Sequence, residues 1–192
     1  MKTAPTRKMY AYWNARRGSR LAPERGDIEP GAIREILGDS FIVSFDAEGD
    51  HPFRLAGTRV CALFGQELKG EPLVQFFDQA SRNLVRGLAG AVADEAGAVI
   101  AGVVGRTAQR SHADLELLLL PLYHRGKMRV RLLGVLAPIV VPYWLGAESV
   151  VTLTLGAVRH LGPGVEALDA PRFARDPGRP RLTVHQGGLN QQ

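Results

Sequence analysis

At 192 residues and 45% apolar content, the chain can bury one substantial core and is too short for two. No apolar run approaches the roughly 18 to 20 residues of a membrane-crossing helix, and the basic N-terminus lacks the continuous apolar stretch of a secretory signal. The lone Cys61 excludes internal disulfides and CxxC metal sites and fits a reducing, cytoplasmic setting, while the +5 charge is concentrated in the first 25 residues, where seven Lys or Arg face Glu24 alone.

Residues 8–17 set Met9, Tyr12 and Trp13 on one face of a short helix, with Tyr10 beside them and Lys8, Arg16 and Arg17 toward the other face. That aromatic stripe suits packing on the domain or on a second subunit, and Tyr10, Tyr12 and Trp13 are the expected contacts of a homodimer. Glycine and proline punctuate the connector that follows. Pro30 is well placed as a first helical residue, and Gly38 stops a helix over residues 32–37. Phe41, Val43 and Phe45 alternate with Ile42 and Ser44, which predicts a strand over 40–46 with one strongly buried face. After a turn at 47–51, residues 53–56 return as its hairpin partner. Val60, Leu63 and Phe64 then share a helical turn, opened by Thr58 as N-cap and closed at Gly65.

Residues 72–96 read as the longest helix, with Phe76, Phe77, Ala80, Leu84, Val85, Leu88 and Val92 on one stripe. Gly87 and Gly90 each cost about 1 kcal/mol of helix propensity relative to alanine, which predicts a close approach or a break there. Three strands follow over 98–104, 113–123 and 130–141, joined by short turns as an antiparallel meander. In the second, Asp114 and Glu116 alternate against Leu115 and Leu117 before the strand becomes apolar on both faces; in the third, Gly134 and Pro138 weaken regular pairing. Residues 146–161 extend as one further strand or begin a terminal helix. From Gly162 on, nine of 31 residues are Gly or Pro, and 162–192 read as a largely disordered tail.

Two strands, short helical turns, a longer helix and three strands is the element order of a PAS domain. Specific motifs sharpen this: Tyr12-Trp13, Arg25-x-Asp27-Ile28-x-Pro30, Phe53-Arg54-Leu55-Ala56-Gly57-Thr58, Phe64-Gly65-x-Glu67-Leu68-x-Gly70 and Leu133-Gly134-x-Leu136-Ala137-Pro138. Together they resemble the PAS_5 family, bacterial stand-alone PAS domains formerly catalogued as a domain of unknown function. One stretch departs from the family pattern: the usual Leu-Pro-x-Arg is Leu21-Ala22-Pro23-Glu24-Arg25, so no family role passes to Arg25. The resemblance implies an α+β fold, a PAS-like five-stranded antiparallel sheet with helices on one face, in a cytoplasmic bacterial protein with a sensory or regulatory role. On that plan residues 1–26 are a basic arm with an amphipathic helix, 27–145 the PAS-like domain, 146–161 its extension and 162–192 the tail.

PAS domains often hold a ligand between sheet and helices, so the resemblance makes Phe41, Phe53, Arg54, Leu55, Phe64 and Phe77 the expected lining of a cavity for a small apolar molecule. Arg54 either lies outward over aromatic surface or reaches an anionic group. No cofactor is indicated: a haem site needs an axial histidine, absent from 72–96, and a flavin photosensor built on Cys61 needs Asn or Gln on the late strands, absent from 113–141. His51, His112, His124, His160 and His185 lack metal-ligand spacing and read as turn or tail residues, and no metal or catalytic constellation is expected. The expected function is a non-catalytic PAS-type sensory or regulatory module, acting through contacts with a second copy or an unidentified regulatory protein, or through an apolar ligand in the core. The alternative is a binder of nucleic acid or anionic surfaces through Lys8, Arg16, Arg17 and Arg20, disfavoured because nucleic-acid readers spread basic residues over the fold. Parallel strands, or helices on both faces of the sheet, would leave the sensor reading without support.

Overall fold

Residues 1–46 and 48–162 are described by a computed structural model, the side chain of Arg129 excepted. In chain order they form helix α1 (Ala4–Arg17), strands β1 (Ser40–Ser44) and β2 (Phe53–Ala56), helices α2 (Thr58–Phe64) and α3 (Gln79–Asp94), and strands β3 (Ala98–Thr107), β4 (His112–His124), β5 (Lys127–Pro138) and β6 (Val150–Leu161), with short 3-10 turns between them. All strand pairings are antiparallel, and the sheet order is β2-β1-β5-β4-β3-β6. The PAS-like α+β architecture is therefore present, with six strands where five were expected. Residues from Val150 take the strand alternative and pair along β3. The tail expected over 162–192 lies outside the described residues except for Gly162.

Both faces of the sheet are covered. In β1 all five residues are buried, Phe41 and Val43 in a core under α2 and α3, and Ile42 in a second core under α1 and the connector. The expectation of helices on one face needs this correction, and β4 supplies the reason. Its run Leu117–Leu118–Leu119–Leu120 alternates between the two cores, so each face must be kept from water. The helix assigned to a separate basic arm provides the second cover, and it starts at Ala4 rather than at residue 8. Its N-cap is Thr3, whose side chain accepts from the Thr6 N–H.

Glu116 fastens that helix. Expected on the polar face of a strand, it is 4% exposed, and its carboxylate accepts hydrogen bonds from the N–H groups of Lys2 (2.7 Å) and Thr3 (2.8 Å) and from the Thr6 hydroxyl. At the other end of the buried stripe, the Trp13 indole N–H donates to the Pro121 carbonyl at 2.9 Å.

The stretch 72–96 is not one helix. Leu73–Phe76 makes a 3-10 turn, Phe77 is extended, and Asp78 caps α3 by accepting from the Ser81 N–H at 2.8 Å. The Asp78 N–H donates to the Leu153 carbonyl, and the Ser81 hydroxyl accepts from the Leu155 N–H, so the start of α3 covers part of the otherwise open edge of β6. Gly87 and Gly90 neither break α3 nor admit a close neighbour; the space beside both is open. Gly57, rather than Thr58, caps α2, and a side chain there would collide with the carbonyls of Leu37 and Gly38. The helix expected over 32–37 is instead a pair of 3-10 turns, Pro30–Ile33 and Leu37–Asp39.

Candidate functional site

Four of the six expected cavity residues come together. Phe41, Phe53, Phe64 and Phe77 are each no more than 7% exposed and belong to one apolar cluster. Phe41 and Phe53 meet edge to face at 5.4 Å, and Phe76, expected on the helix stripe but not in the cavity lining, bridges Phe53 at 6.2 Å and Phe64 at 4.5 Å. These rings pack on one another between α2, α3 and the sheet.

Arg54 and Leu55 do not join them. Simple alternation would aim Leu55 the same way as Phe53, but the pairing of β1 with β2 shifts register between Ile42 and Val43, so that Ile42 faces Leu55 and Val43 faces Phe53. Arg54 is the extra, bulged residue, which turns Leu55 to the outer face and leaves both side chains exposed. Nothing in period-two reading signals such a bulge.

The aromatic stripe of α1 is spent inside the protomer. Trp13 is 3% exposed, and the Tyr12 hydroxyl donates to the Asp27 carbonyl and accepts from the Glu29 N–H. Tyr10 is half-buried and stacks on Trp13. Within the protomer, α1 thus sets Trp13 against its own sheet and leaves Tyr10 and Tyr12 half-buried. The arm's cations are likewise engaged at the surface: Lys8 pairs with Glu35, Arg16 with Glu29 and Arg20 with Asp27, while Arg17 bonds Asn14 and lies over Trp13.

What the sequence concealed is an exposed apolar strip. The strand expected over 130–141 ends at Pro138, and Ile139–Val140–Val141–Pro142–Tyr143 runs on over the surface with Val140 77%, Val141 69% and Tyr143 97% exposed. The strip is held firmly at both ends. The Ile139 N–H donates to the Asp114 carbonyl at 2.8 Å, and Trp144, 4% exposed, is sunk in the inner core. Beyond it the Glu148 carboxylate accepts from the Thr107 hydroxyl at 2.6 Å. A depression of about 300 Å³ adjoins the strip, lined by His112, Ala113, Asp114 and the strip residues. Pro138 just before the segment and Pro142 within it were its one sequence signal, since neither can continue a ladder from its nitrogen.

His51 departs from the solvated turn expected of it. It is 2% exposed, its backbone is left-handed (φ 54°), its ring meets Phe45 at 4.7 Å, and neither ring nitrogen has a well-formed hydrogen-bond partner among the described residues. Asp46 Oδ1, 4.0 Å from Nδ1, accepts instead from the N–H groups of Asp50 and His51. Burial pushes the His51 pKa down, and Asp46 and Asp50 offset this only in part. The unfolded chain takes up a proton near the usual value of about 6.5 while the fold resists it, so stability is expected to fall as pH drops below that value. His51→Asn, compatible with a left-handed backbone, is expected to flatten the dependence of the urea midpoint between about pH 7 and 5; an unchanged slope would refute the assignment. Among the described residues no three His, Cys, Asp or Glu side chains gather as metal ligands, and no helix is long and apolar enough to cross a membrane. His185 lies outside the described residues.

Comparison with known proteins adds the following. The PAS_5 family, described as a PAS domain, matches residues 1–137. Among solved structures, the PAS domain of a Colwellia psychrerythraea protein is 16% identical with a TM-score of 0.42, over 57% of this chain and 97% of that one. The PAS domain of an HTR-like protein from Haloarcula marismortui is 20% identical with a TM-score of 0.40, over 56% and 90%. An RNA-binding light-oxygen-voltage receptor is 20% identical with a TM-score of 0.44, over 63% of this chain and 36% of its own. No curated protein matches. With the match extending from the arm helix to the end of β5, the chain belongs to the PAS_5 family of PAS domains, a sensory or regulatory class of module.

Proposed function

We propose that the chain is a non-catalytic, cytoplasmic PAS-type regulatory module that works through protein contacts at the strip Ile139–Tyr143, first of all with a second copy of itself. The observation that carries this reading is the contrast between an inner core in which phenylalanine rings pack on one another and an anchored apolar strip left in water. Burying such side chains contributes about 25 cal/mol per Å² of apolar surface, so a partner that covers them is favoured. The strip carries no charge, which lets it face its own copy across a two-fold axis without like-charge repulsion. The adjoining depression can receive a protruding side chain such as the partner's own Tyr143.

Sedimentation velocity of the wild type and of a Val140→Asp/Tyr143→Asp variant tests the reading. Both positions are exposed, so the variant folds, and it is expected to weaken self-association at least about 100-fold, two charges being forced into an apolar contact. Self-association that is indifferent to the double substitution would exclude the strip.

A further inference from the structure

On the outer face, the register of β5, β1 and β2 sets Leu133 beside Ile42 and Ile42 beside Leu55. Ile28 and Ile33 of the connector lean over this row and close a notch of about 40 Å³ with Arg25 in its wall. Arg131 stands two residues along β5 from Leu133, so on the same face, paired with Ser44; Arg54 is the bulged residue next to Leu55. Arg25 thus lines the aliphatic notch itself, and Arg54 and Arg131 sit at neighbouring strand positions beside it.

None of the three has a carboxylate partner among the described residues, whereas Lys8, Arg16, Arg20, Arg59 and Arg86 are all in ion pairs. The one side-chain hydrogen bond of Arg131 among those residues goes to the Val130 carbonyl at 3.0 Å. Arg25 and Arg131 are half-buried. Burial first, and then the neighbouring charges of Arg54 and Arg25, lower the proton affinity of Arg131, in keeping with the strand positions of the three. Partly desolvated cations without a counter-charge are costly, and an arginine fork is matched to a planar or tetrahedral oxyanion.

We propose that this corner of the outer face binds a small oxyanion bearing a short aliphatic group, an alkyl phosphate or short-chain carboxylate, with the anion on Arg25, Arg54 and Arg131 and the alkyl group in the notch. Such a ligand bridges the connector behind α1 to the edge of the sheet, a place where occupancy alters how the outer cover is held. The site is independent of the apolar strip and stands or falls without it.

Titration of the full chain, followed through the arginine Nε–Hε resonances, tests this with n-propyl phosphate, inorganic phosphate, butyrate and propylammonium as probes. Saturable shifts at the three arginines are expected with n-propyl phosphate or butyrate, the tighter of the two identifying the headgroup. The alkyl phosphate is expected to bind about tenfold tighter than inorganic phosphate, because one or two carbons leave water, and propylammonium is expected not to bind. Arg25→Gln/Arg131→Gln is expected to weaken binding at least about tenfold, and Arg54→Gln, on an exposed edge where folding is not at risk, to weaken it as well. Absence of saturable shifts with either oxyanion, equal binding of propylammonium, or affinity unchanged in the glutamine variants would overturn the proposal.

Discussion

Glu116→Ala is expected to lower the unfolding free energy by about 3 kcal/mol and to release α1 from the sheet. The substitution leaves the N–H groups of Lys2 and Thr3 and the Thr6 hydroxyl facing a buried gap, and hydrogen bonds to a charged acceptor contribute about 1.5 to 3 kcal/mol each before the losses overlap. Glu116→Gln keeps the volume but turns an NH₂ group toward donors, so it is expected to recover part of the loss and not all of it. Hydrogen exchange reads the effect locally: amides of residues 6–13 lose protection before those of β4. Equal protection of α1 in wild type and the alanine variant would show that Glu116 is not its anchor.

The same contact has a pH signature. Burial acts most strongly on the Glu116 carboxyl and pushes its pKa up, but the hydrogen bonds from Thr6, Thr3 and Lys2 together outweigh it, and the net displacement is downward. The unfolded chain therefore protonates first as pH falls. The stabilisation from Glu116 is complete above the usual glutamate value of about 4.3 and disappears as pH drops through the lower folded value. This loss lies below the window in which His51 acts, so the two are separable in one stability profile.

Gly134→Val is expected to cost about 3 kcal/mol or more, enough to unfold much of a marginally stable domain at 37 °C. Gly134 pairs directly with Phe41, and a Cβ there would lie inside the Phe41 ring. That ring is 1% exposed and braced by Phe53, so it has nowhere to go. The glycine that sequence reading takes as a weak point in β5 is thus the seat of the one aromatic side chain of β1. If the steric account holds, Phe41→Leu combined with Gly134→Ala costs less than the sum of the two single changes in urea denaturation; strict additivity would mean the ring is not the obstacle.

The succession of elements along the chain as far as β5 and much of the inner core were legible in the sequence because they follow from alternation and from helical stripes, as at Phe41–Val43 and at Val85 and Val92, whereas the pairing of β1 with β5 was not. What stayed hidden depends on contacts between segments far apart in the chain. Glu116 looks like a solvent-facing residue until α1 lies over it, and the break before α3 depends on Asp78 and Ser81 meeting β6. The bulge at Arg54 reverses the face of Leu55 without any mark in the local pattern. Helices do cover both faces, the arrangement expected to remove support from the sensor reading, yet the family match stands. The two covers bury separate rows of the same strands, and α1 leaves the α2/α3 side unchanged.

The strip Ile139–Tyr143 belongs to the same class of surprise, since an apolar run after a strand reads as more strand until Pro138 and Pro142 are given their weight. Its exposure is the basis for placing function in protein contacts. Native mass spectrometry of the purified chain reads subunit number and bound mass together and so tests that placement most directly. A dimer that becomes a monomer on Val140→Asp/Tyr143→Asp is the predicted result; a wild-type monomer, or a dimer that persists in the variant, would contradict it.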